Sequence, residues 1–212
     1  MKNKIQLGII GSGGFAREVL QLARDIQNKK DAWFAEIYFV ELDDFHTKQI
    51  VDEIIVLKLS DCDLDKMSFV IAIGDPVLKR RIFNELPRGI HFTSLISPLA
   101  FVASDVQYSQ GLVVMPFSYL SCNVKLGQHI HINSHCTIGH DSSIGEFSTM
   151  ACSVMIAGEN SISSICYFGM NSSTRQGISI CENVTVGLNA GVVKTIVEPG
   201  IYIGTPSKLM SI

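Results

Sequence analysis

Residues 131–150, HINSHCTIGHDSSIGEFSTM, contain three of the chain's six histidines, and His140 is followed directly by Asp141. An imidazole beside a carboxylate is suited to general-base catalysis, because the carboxylate orients the ring and stabilises its protonated form. Glu146 is the second candidate for that carboxylate. His140 could also be a metal ligand or a solvated polar residue, and its surroundings must decide between these roles.

A six-residue repeat surrounds this pair. From Ile96 to Val192 an apolar residue occurs at every sixth position, and only Thr174 interrupts the pattern. Gly, Ala, Ser or Cys follows in 13 of the 17 repeats. This period is typical of short flat strands joined by tight corners, three to a coil, each with one aliphatic side chain inward. It predicts a triangular parallel β-helix, which in known proteins coils left-handedly.

The repeat places His140 two positions after the inward Ile138, so its side chain should point outward. Residues 18 apart should stack about 4.8 Å apart on the same face. Gly158 occupies the slot of His140 in the next coil and leaves a backbone N–H exposed beside the imidazole. The sequence therefore predicts a base next to an oxyanion donor.

A metal site is the competing interpretation of these histidines. His135 and His140 are five residues apart, a spacing similar to the zinc pair of the γ-class carbonic anhydrases. A third histidine should then come from well upstream, but none lies between His91 and His129. We therefore expect no metal, and we expect solvated side chains at His46, His91, His129 and His131.

The first half of the chain follows a different pattern. KIQLGII, EIYFVEL and FVIAIG read as strands, and GFAREVLQLARDIQ and PVLKRRIFNEL read as helices. Their alternation predicts a parallel α/β sheet. The loop GSGGFA could belong to a dinucleotide dehydrogenase, but about 95 residues leave no adequate second half for that fold. Helix residues Lys79, Arg80 and Arg81 are expected to be solvated.

Composition limits the remaining functions. Of the 37 charged residues, 27 precede position 96, so we divide the chain into domains 1–95 and 96–212. The net charge of −3 without basic clusters argues against nucleic-acid partners. No apolar run is long enough to span a membrane, and we expect a cytoplasmic protein. The six cysteines show no CxxC spacing and are expected to be free buried thiols.

GIIGSGGFAREV, ELDDF, IAIGDP, GHDSSIGEF and IYIGTPSKLM together resemble the sugar O-acyltransferase family of the sialic acid O-acetyltransferase type. That family includes N-acetyltransferases of nucleotide-linked amino sugars of the bacillosamine and perosamine type. The resemblance implies a Rossmann-like domain that binds a nucleotide sugar, a left-handed β-helix that binds acetyl-CoA, and a homotrimer with active sites between subunits.

Site residues follow from the resemblance by position. It makes His140 the base, Asp141 its tuning group and Gly158 the oxyanion donor. Substrate-binding residues would be Gly11, Gly13, Gly14, Phe15, Asp43, Asp44 and Gly74. Acetyl-CoA contacts would come from Thr149, Met170, Leu188 and Lys194. Phe15 and Thr149 stand where family members carry histidine.

The leading expectation is N-acetylation of a nucleotide-linked amino sugar. O-acetylation of sialic acid or another surface-glycan sugar remains an alternative. The second alternative is a metal-bearing or noncatalytic β-helix protein.

Overall fold

The computed structural model describes residues 5–29 and 33–210. Within these ranges an α/β domain is followed by a triangular parallel β-helix, consistent with the left-handed form, so the predicted fold class is confirmed. Neither described helix combines the length and hydropathy needed to cross a bilayer.

The N-terminal domain is a five-stranded sheet with two helices. Its elements are β1 (Ile5–Ile10), α1 (Gly14–Gln27), β2 (Phe34–Glu41), β3 (Ile50–Val51), β4 (Ile54–Lys58), β5 (Met67–Ile71) and α2 (Pro76–Glu85). The strand order is β3-β4-β2-β1-β5, and every neighbouring pair except β3 and β4 is parallel. The predicted parallel α/β sheet is therefore confirmed. Ligands of such sheets bind at the carboxyl ends of the strands.

The two helices form where their sequence signals place them. α1 buries one apolar stripe, made of Ala16, Val19, Leu20, Leu22 and Ala23. α2 begins at Pro76, and the Asp75 carboxylate accepts a hydrogen bond from the Leu78 N–H at 2.7 Å, which caps the helix.

The β-helix contains one short strand for each repeat. These strands are β6 (Leu95–Ile96), β7 (Phe101–Val102), β8 (Gln107–Tyr108), β9 (Val113–Val114), β10 (Tyr119–Leu120), β11 (Lys125–Leu126), β12 (His131–Ile132), β13 (Thr137–Ile138), β14 (Ser143–Ile144), β15 (Thr149–Met150), β16 (Met155–Ile156), β17 (Ser161–Ile162), β18 (Tyr167–Phe168), β19 (Ser173–Thr174), β20 (Ser179–Ile180), β21 (Val184–Val186) and β22 (Gly191–Val192). Each ends on a repeat position, so the predicted period sets the register of the whole prism.

Three sheets form the walls of the prism. The first wall contains β6, β9, β12, β15, β18 and β21, extended by β23 (Gly200–Ile203) and the antiparallel β24 (Lys208–Leu209). The second wall contains β7, β10, β13, β16, β19 and β22, and the third contains β8, β11, β14, β17 and β20. Residues 18 apart pair in every wall, as predicted.

Two repeat positions depart from the simple pattern. Tyr108 is 48% exposed because β8 is the end strand of the third wall, so no preceding coil covers it. Thr174 points inward, but its hydroxyl does not donate to a carbonyl as a lone buried hydroxyl would. It accepts hydrogen bonds from the Ala157 N–H and the Asn160 side-chain amide, at 3.0 and 2.9 Å.

The corners of the prism share one backbone conformation. Every sixth residue from Gly111 to Asn189 has a φ between +53° and +73°. This left-handed region favours glycine and asparagine, yet Phe117, Phe147 and Ile165 also adopt it. The packing of successive coils therefore outweighs local preference at these positions.

The first wall carries the N-terminal domain, and three expectations are wrong there. His129 and His131 are fully buried rather than solvated, and Lys79 on α2 is also fully buried. Lys79 Nζ donates to Thr149 Oγ1 at 2.9 Å and contacts the Ser148 carbonyl at 3.4 Å. The helix docks on the wall, and this long-range contact removes the side chains from water.

The six cysteines are free, as expected. Cys136 and Cys166 are buried, and burial raises the pKa of these thiols to about 12 and about 11. Cys122 is exposed and Cys62, Cys152 and Cys181 are half-buried, so the expectation of buried thiols is confirmed only at Cys136 and Cys166.

Candidate active site

His140 lies at the corner between β13 of the second wall and β14 of the third. Its side chain is 46% exposed and points out of the prism, as predicted. The inward Ile138 fixes the strand in the apolar interior, where it is fully buried. The next positions must then turn the corner, so the imidazole projects from a rigid edge of the prism.

Asp141 holds the imidazole from one side. Its φ of +58° folds the carboxylate back, and Asp141 Oδ2 lies 2.8 Å from His140 Nδ1. The carboxylate accepts the Nδ1–H, so the neutral ring carries its free lone pair on Nε2. The expected pairing of His140 with Asp141 is present, and the bond to Glu146 that was the alternative is not formed among the described residues.

Gly158 lies against the other nitrogen. A Cβ placed on Gly158 would be 2.6 Å from His140 Nε2, so any side chain there would collide with the ring. Within the described chain no backbone acceptor takes up the Gly158 N–H. His140 Nε2 and the Gly158 backbone, whose amide has no partner among the described residues, therefore lie side by side, as the repeat predicts. Their roles as base and oxyanion donor stay a prediction.

Asn123 also belongs to this site, and the sequence analysis missed it. Its side-chain amide donates to Asp141 Oδ1 at 2.6 Å. The amide of Asn123 and then the imidazole of His140 hold the pKa of the Asp141 carboxyl below its usual value. Asn123 precedes Asp141 by one full coil, so the spacing that identified Gly158 was the available signal.

The glycine loop lies at the carboxyl end of β1. Gly11 has a φ of +110°, and a Cβ there would be 3.3 Å from the Ala72 carbonyl, so the position needs glycine. A Cβ on Gly13, Gly14 or Gly74 would meet nothing within 4 Å, which leaves the loop open to a ligand. Phe15 packs on His131, with ring centroids 4.9 Å apart.

Two cavities lie at this end of the sheet. One of about 210 Å³ is apolar and is lined by Gly11, Leu42, Ile73 and Ile82 among others. The other, of about 600 Å³, is lined by Asp43, Asp44, Ser60 and Glu85 among others. The Ser60 N–H donates to Asp43 Oδ1 at 3.1 Å. Hydrogen bonding from the Ser60 side chain, and then from its backbone, holds the pKa of Asp43 below its usual value. Asp44 is exposed.

The predicted acetyl-CoA residues occupy three separate places. Lys194 shares the slot of His140 and Gly158, three coils after His140, or about 14 Å along the corner. Met170 and Leu188, 52% and 61% exposed, share a slot at the corner between the first and second walls. Thr149 is 2% exposed and engaged by Lys79, so the side chain offers no free surface to a cofactor.

The chain is similar to several known proteins. Residues 6–86 match the PglD N-terminal domain family. The GDP-perosamine N-acetyltransferase of Escherichia coli O157:H7 is 26% identical over 145 residues. That match covers 66% of this chain and 64% of the relative, so the chain spans just under two thirds of its length.

Solved structures extend the likeness to both domains. The acetyltransferase domain of PglB from Neisseria gonorrhoeae, solved in complex with acetyl coenzyme A, has a TM-score of 0.88 and 25% identity, with 98% of this chain and all of that chain covered. Over both domains the chain is therefore similar to sugar acetyltransferases. PerB from Caulobacter crescentus, with a TM-score of 0.84 and 22% identity over 97% of each chain, shares the fold.

The two candidate half-sites lie apart within one chain. The glycine loop touches the first wall, where Phe15 meets His131. His140 lies at the corner between the second and third walls, which is opposite the first wall in a triangular prism. No set of three or more His, Cys, Asp or Glu side chains in residues 5–29 and 33–210 is arranged to hold a metal ion.

Proposed function

We propose that the protein transfers the acetyl group of acetyl-CoA to the amino group of a nucleotide-linked sugar, with His140 as general base. The observation that carries this proposal is the His140 Nε2 lone pair beside the unpaired Gly158 amide. The 26% identical relative is named a GDP-perosamine N-acetyltransferase, which favours nitrogen over oxygen as the acceptor.

The geometry supports direct transfer. The amine nitrogen attacks the thioester carbonyl carbon, and His140 Nε2 takes the proton from that nitrogen. The carbonyl electron pair becomes an oxyanion, to which the Gly158 N–H can donate. Collapse of the adduct breaks the C–S bond, and the protonated imidazole returns a proton to the CoA sulfur. Asp141 stabilises the imidazolium between these two proton transfers.

His140, Gly158 and Lys194 stack along one corner of the prism, and we propose that acetyl-CoA lies along this corner. With the thioester at His140 and Gly158, a phosphate of the cofactor can reach Lys194, about three coils away, through the flexible arm. The ammonium group of Lys194 is exposed and suited to phosphate. Met170 and Leu188 lie at the corner between the first and second walls, so we propose that they contact the apolar part of a cofactor bound to a neighbouring subunit.

The N-terminal domain supplies the nucleotide-sugar site in this proposal. The open Gly13–Gly14 turn lies at the N-terminus of α1, where backbone N–H groups favour a diphosphate. The nearby apolar cavity beside Gly11 can accept a base, and the Asp43–Asp44 cavity offers carboxylates to its N–H groups.

A homotrimer would bring these half-sites together. In one chain the glycine loop lies at the first wall and His140 at the opposite corner, so we propose that a sugar nucleotide held by the loop meets the His140 of a neighbouring subunit. Large apolar side chains are exposed on or beside the second wall, namely Leu99, Phe101, Phe117, Tyr119 and Met155. A second copy would cover these side chains and present its own loop to His140.

The test is a transfer assay with a panel of nucleotide diphosphate amino sugars. We expect one of them to be acetylated by the wild-type protein, and His140→Ala to lower kcat by about 100-fold or more while the fold persists. His135→Asn, at another exposed histidine, serves as the control and should keep full activity. Activity that survives in His140→Ala would refute the base assignment, and acetylation of a free glycan alone would refute the substrate class.

A further inference from the structure

We propose that Asn123 is a positioning residue that fixes the carboxylate of Asp141 for its bond to His140. Its kinetic consequence rests on the proposed function, while its effect on the imidazole can be measured without turnover. Asn123 does not touch the reacting atoms, since its amide contacts only the far oxygen of Asp141.

The two carboxylate oxygens of Asp141 have different partners. Oδ2 accepts from His140 Nδ1 at 2.8 Å, and Oδ1 accepts from the Asn123 amide at 2.6 Å. The Asp141 side chain is 48% exposed, so its oxygens can exchange the imidazole for water. The amide of Asn123 opposes that rotation, because a carboxylate held at both oxygens cannot turn without losing a charge-assisted hydrogen bond.

Asn123 is itself held in place. Its backbone N–H donates to Asp105 Oδ2 at 3.0 Å, and its φ of +56° suits asparagine. Asp105, Asn123 and Asp141 occupy the same slot in three successive coils and form a line along the corner that ends at His140. The parallel pairing of Tyr119 with Thr137 fixes the separation of the last two coils.

Another corner of the prism offers a matched control. Asn171 also has a left-handed φ, of +59°, and its amide donates at 2.7 Å to Oδ1 of Asn189, again one coil later. Both Asn171 and Asn123 are exposed. A glycine at either position keeps the turn and removes one amide hydrogen bond, so only the identity of the acceptor differs.

The first measurement is the tautomer of His140 by nitrogen-15 NMR, at a pH where the ring is neutral. The resonances are assigned from their loss in His140→Ala. We expect the wild-type ring to hold its proton on Nδ1 and Asn123→Gly to show a mixture of tautomers. Asn171→Gly should match the wild type. An unchanged tautomer in Asn123→Gly would overturn the proposal, whether or not the protein transfers acetyl groups.

The second measurement is kinetic. We expect Asn123→Gly to lower kcat about tenfold, with the KM for acetyl-CoA nearly unchanged. In a background of Asp141→Asn the same change should cost nothing further, because Asn123 acts only through Asp141. Equal losses in both backgrounds would assign Asn123 a purely structural role. A wild-type protein without transferase activity refutes the proposed function and leaves the tautomer result to decide.

A third variant adds a pH signature. Asn123→Asp keeps the shape but faces Asp141 with a second carboxylate, and the pair can bond only while it shares a proton. Its kcat relative to wild type should therefore fall as the pH rises and that proton is lost. Asn171→Asp adds the same charge elsewhere and should show no such trend. A flat ratio for Asn123→Asp would contradict the proposal.

Discussion

The imidazole of His140 and the amide of Gly158 come from successive coils and meet without an intervening side chain. A backbone donor cannot be removed by truncating a side chain, so its contribution has to be tested by crowding. Gly158 is suitable because its φ lies outside the left-handed region, which leaves alanine free to adopt the same backbone. The obstacle to a side chain is therefore steric and comes from the ring.

Gly158→Ala should be nearly inactive. The new Cβ would lie 2.6 Å from Nε2, so the ring must rotate away from Asp141 or tilt off the acceptor amine. We expect kcat to fall by about 100-fold or more, since a small displacement of a base is costly. Steady-state kinetics with far-ultraviolet circular dichroism will separate lost activity from lost structure.

The control adds a methyl group to a glycine in a wall strand. In Gly191→Ala the nearest atom to the Cβ is the Thr205 Cγ2, at 3.2 Å, which is a movable side chain. This variant should fold and keep most of its activity. If Gly158→Ala performs as well as Gly191→Ala, the close packing of His140 on Gly158 has no catalytic meaning.

Sequence analysis reached His140, Asp141 and Gly158 because their relation depends only on the repeat. The period gives the outward direction of His140, and a step of one coil forward gives Gly158 as its neighbour. A step of one coil back from Asp141 gives Asn123, so that contact was equally accessible. The burial of Thr149 could not be predicted from the repeat, because the side chain that covers Thr149 belongs to Lys79, in a helix of the other domain.

At the scale of elements, α2 packs on the first wall through a basic and aromatic cluster. The His129 ring lies among Phe83, Phe92 and Phe147, with centroids 4.9, 4.6 and 5.5 Å away. Both of its ring nitrogens lack a hydrogen-bond partner within the described residues. Burial, and then the neighbouring Lys79, lowers the pKa of His129 to about 4.

This cluster makes stability depend on pH. Lys79 and His131 face His129, and burial also lowers their pKa values well below the usual ones. The unfolded chain protonates His129 near pH 6.5, whereas the folded chain does so near pH 4. Stability from His129 is therefore complete above about pH 6.5 and falls toward pH 4, by on the order of 3 kcal/mol.

His129→Phe should remove that dependence. Phe147 already occupies the equivalent corner in the next coil with a φ of +60°, so the backbone accepts an aromatic residue there. The variant should be as stable as wild type at pH 7 or more so, because two unpaired buried nitrogens are lost. Below about pH 6.5 its advantage should grow by on the order of 1.4 kcal/mol per unit.

Denaturant unfolding at several pH values gives the measurement, and His135→Phe gives the control. His135 is an exposed corner residue with a φ of +61°, so its replacement should leave the pH profile of stability unchanged. Parallel profiles for wild type and His129→Phe would mean that His129 is not protonated on unfolding in this range, and the account of the cluster would fail.

The repeat could not predict this cluster. In the six-residue period His129 and His131 stand at outward slots, where the simplest expectation is contact with water. The docking of α2 on the first wall is not periodic, and a local reading of PVLKRRIF places Lys79 on a charged face with Arg80 and Arg81. Only the packing of two domains turns that lysine inward.

At the scale of the whole molecule, the glycine loop and His140 are separated by the width of the prism. If one site takes its loop and its base from different subunits, two inactive variants should complement each other. His140→Ala lacks the base, and Gly13→Trp fills the open turn without crowding the fold, because a Cβ there meets nothing within 4 Å.

Co-expression of the two variants at equal levels should restore about a quarter of wild-type activity, since one site in four pairs an intact loop with an intact base. Each variant alone should be inactive. Activity assays on the unfractionated co-expressed protein, with tags to confirm mixed assemblies and sedimentation to count subunits, provide the measurement. Mixed assemblies without any recovery would place the complete site within one chain and refute the shared-site proposal.

The six-residue period from Ile96 to Val192 also decides, for every residue of the β-helix, whether its side chain faces the interior, the solvent or a corner. Loss of one residue between Val102 and Ile138 would move everything downstream by one place in the repeat, His140 included, so that the residue after each repeat position would face the interior. Removal of three consecutive repeats would instead delete one complete coil and leave every downstream side chain in its original orientation. Length variants of this protein should therefore survive in whole coils or as loops extruded at corners, and hardly at all in between.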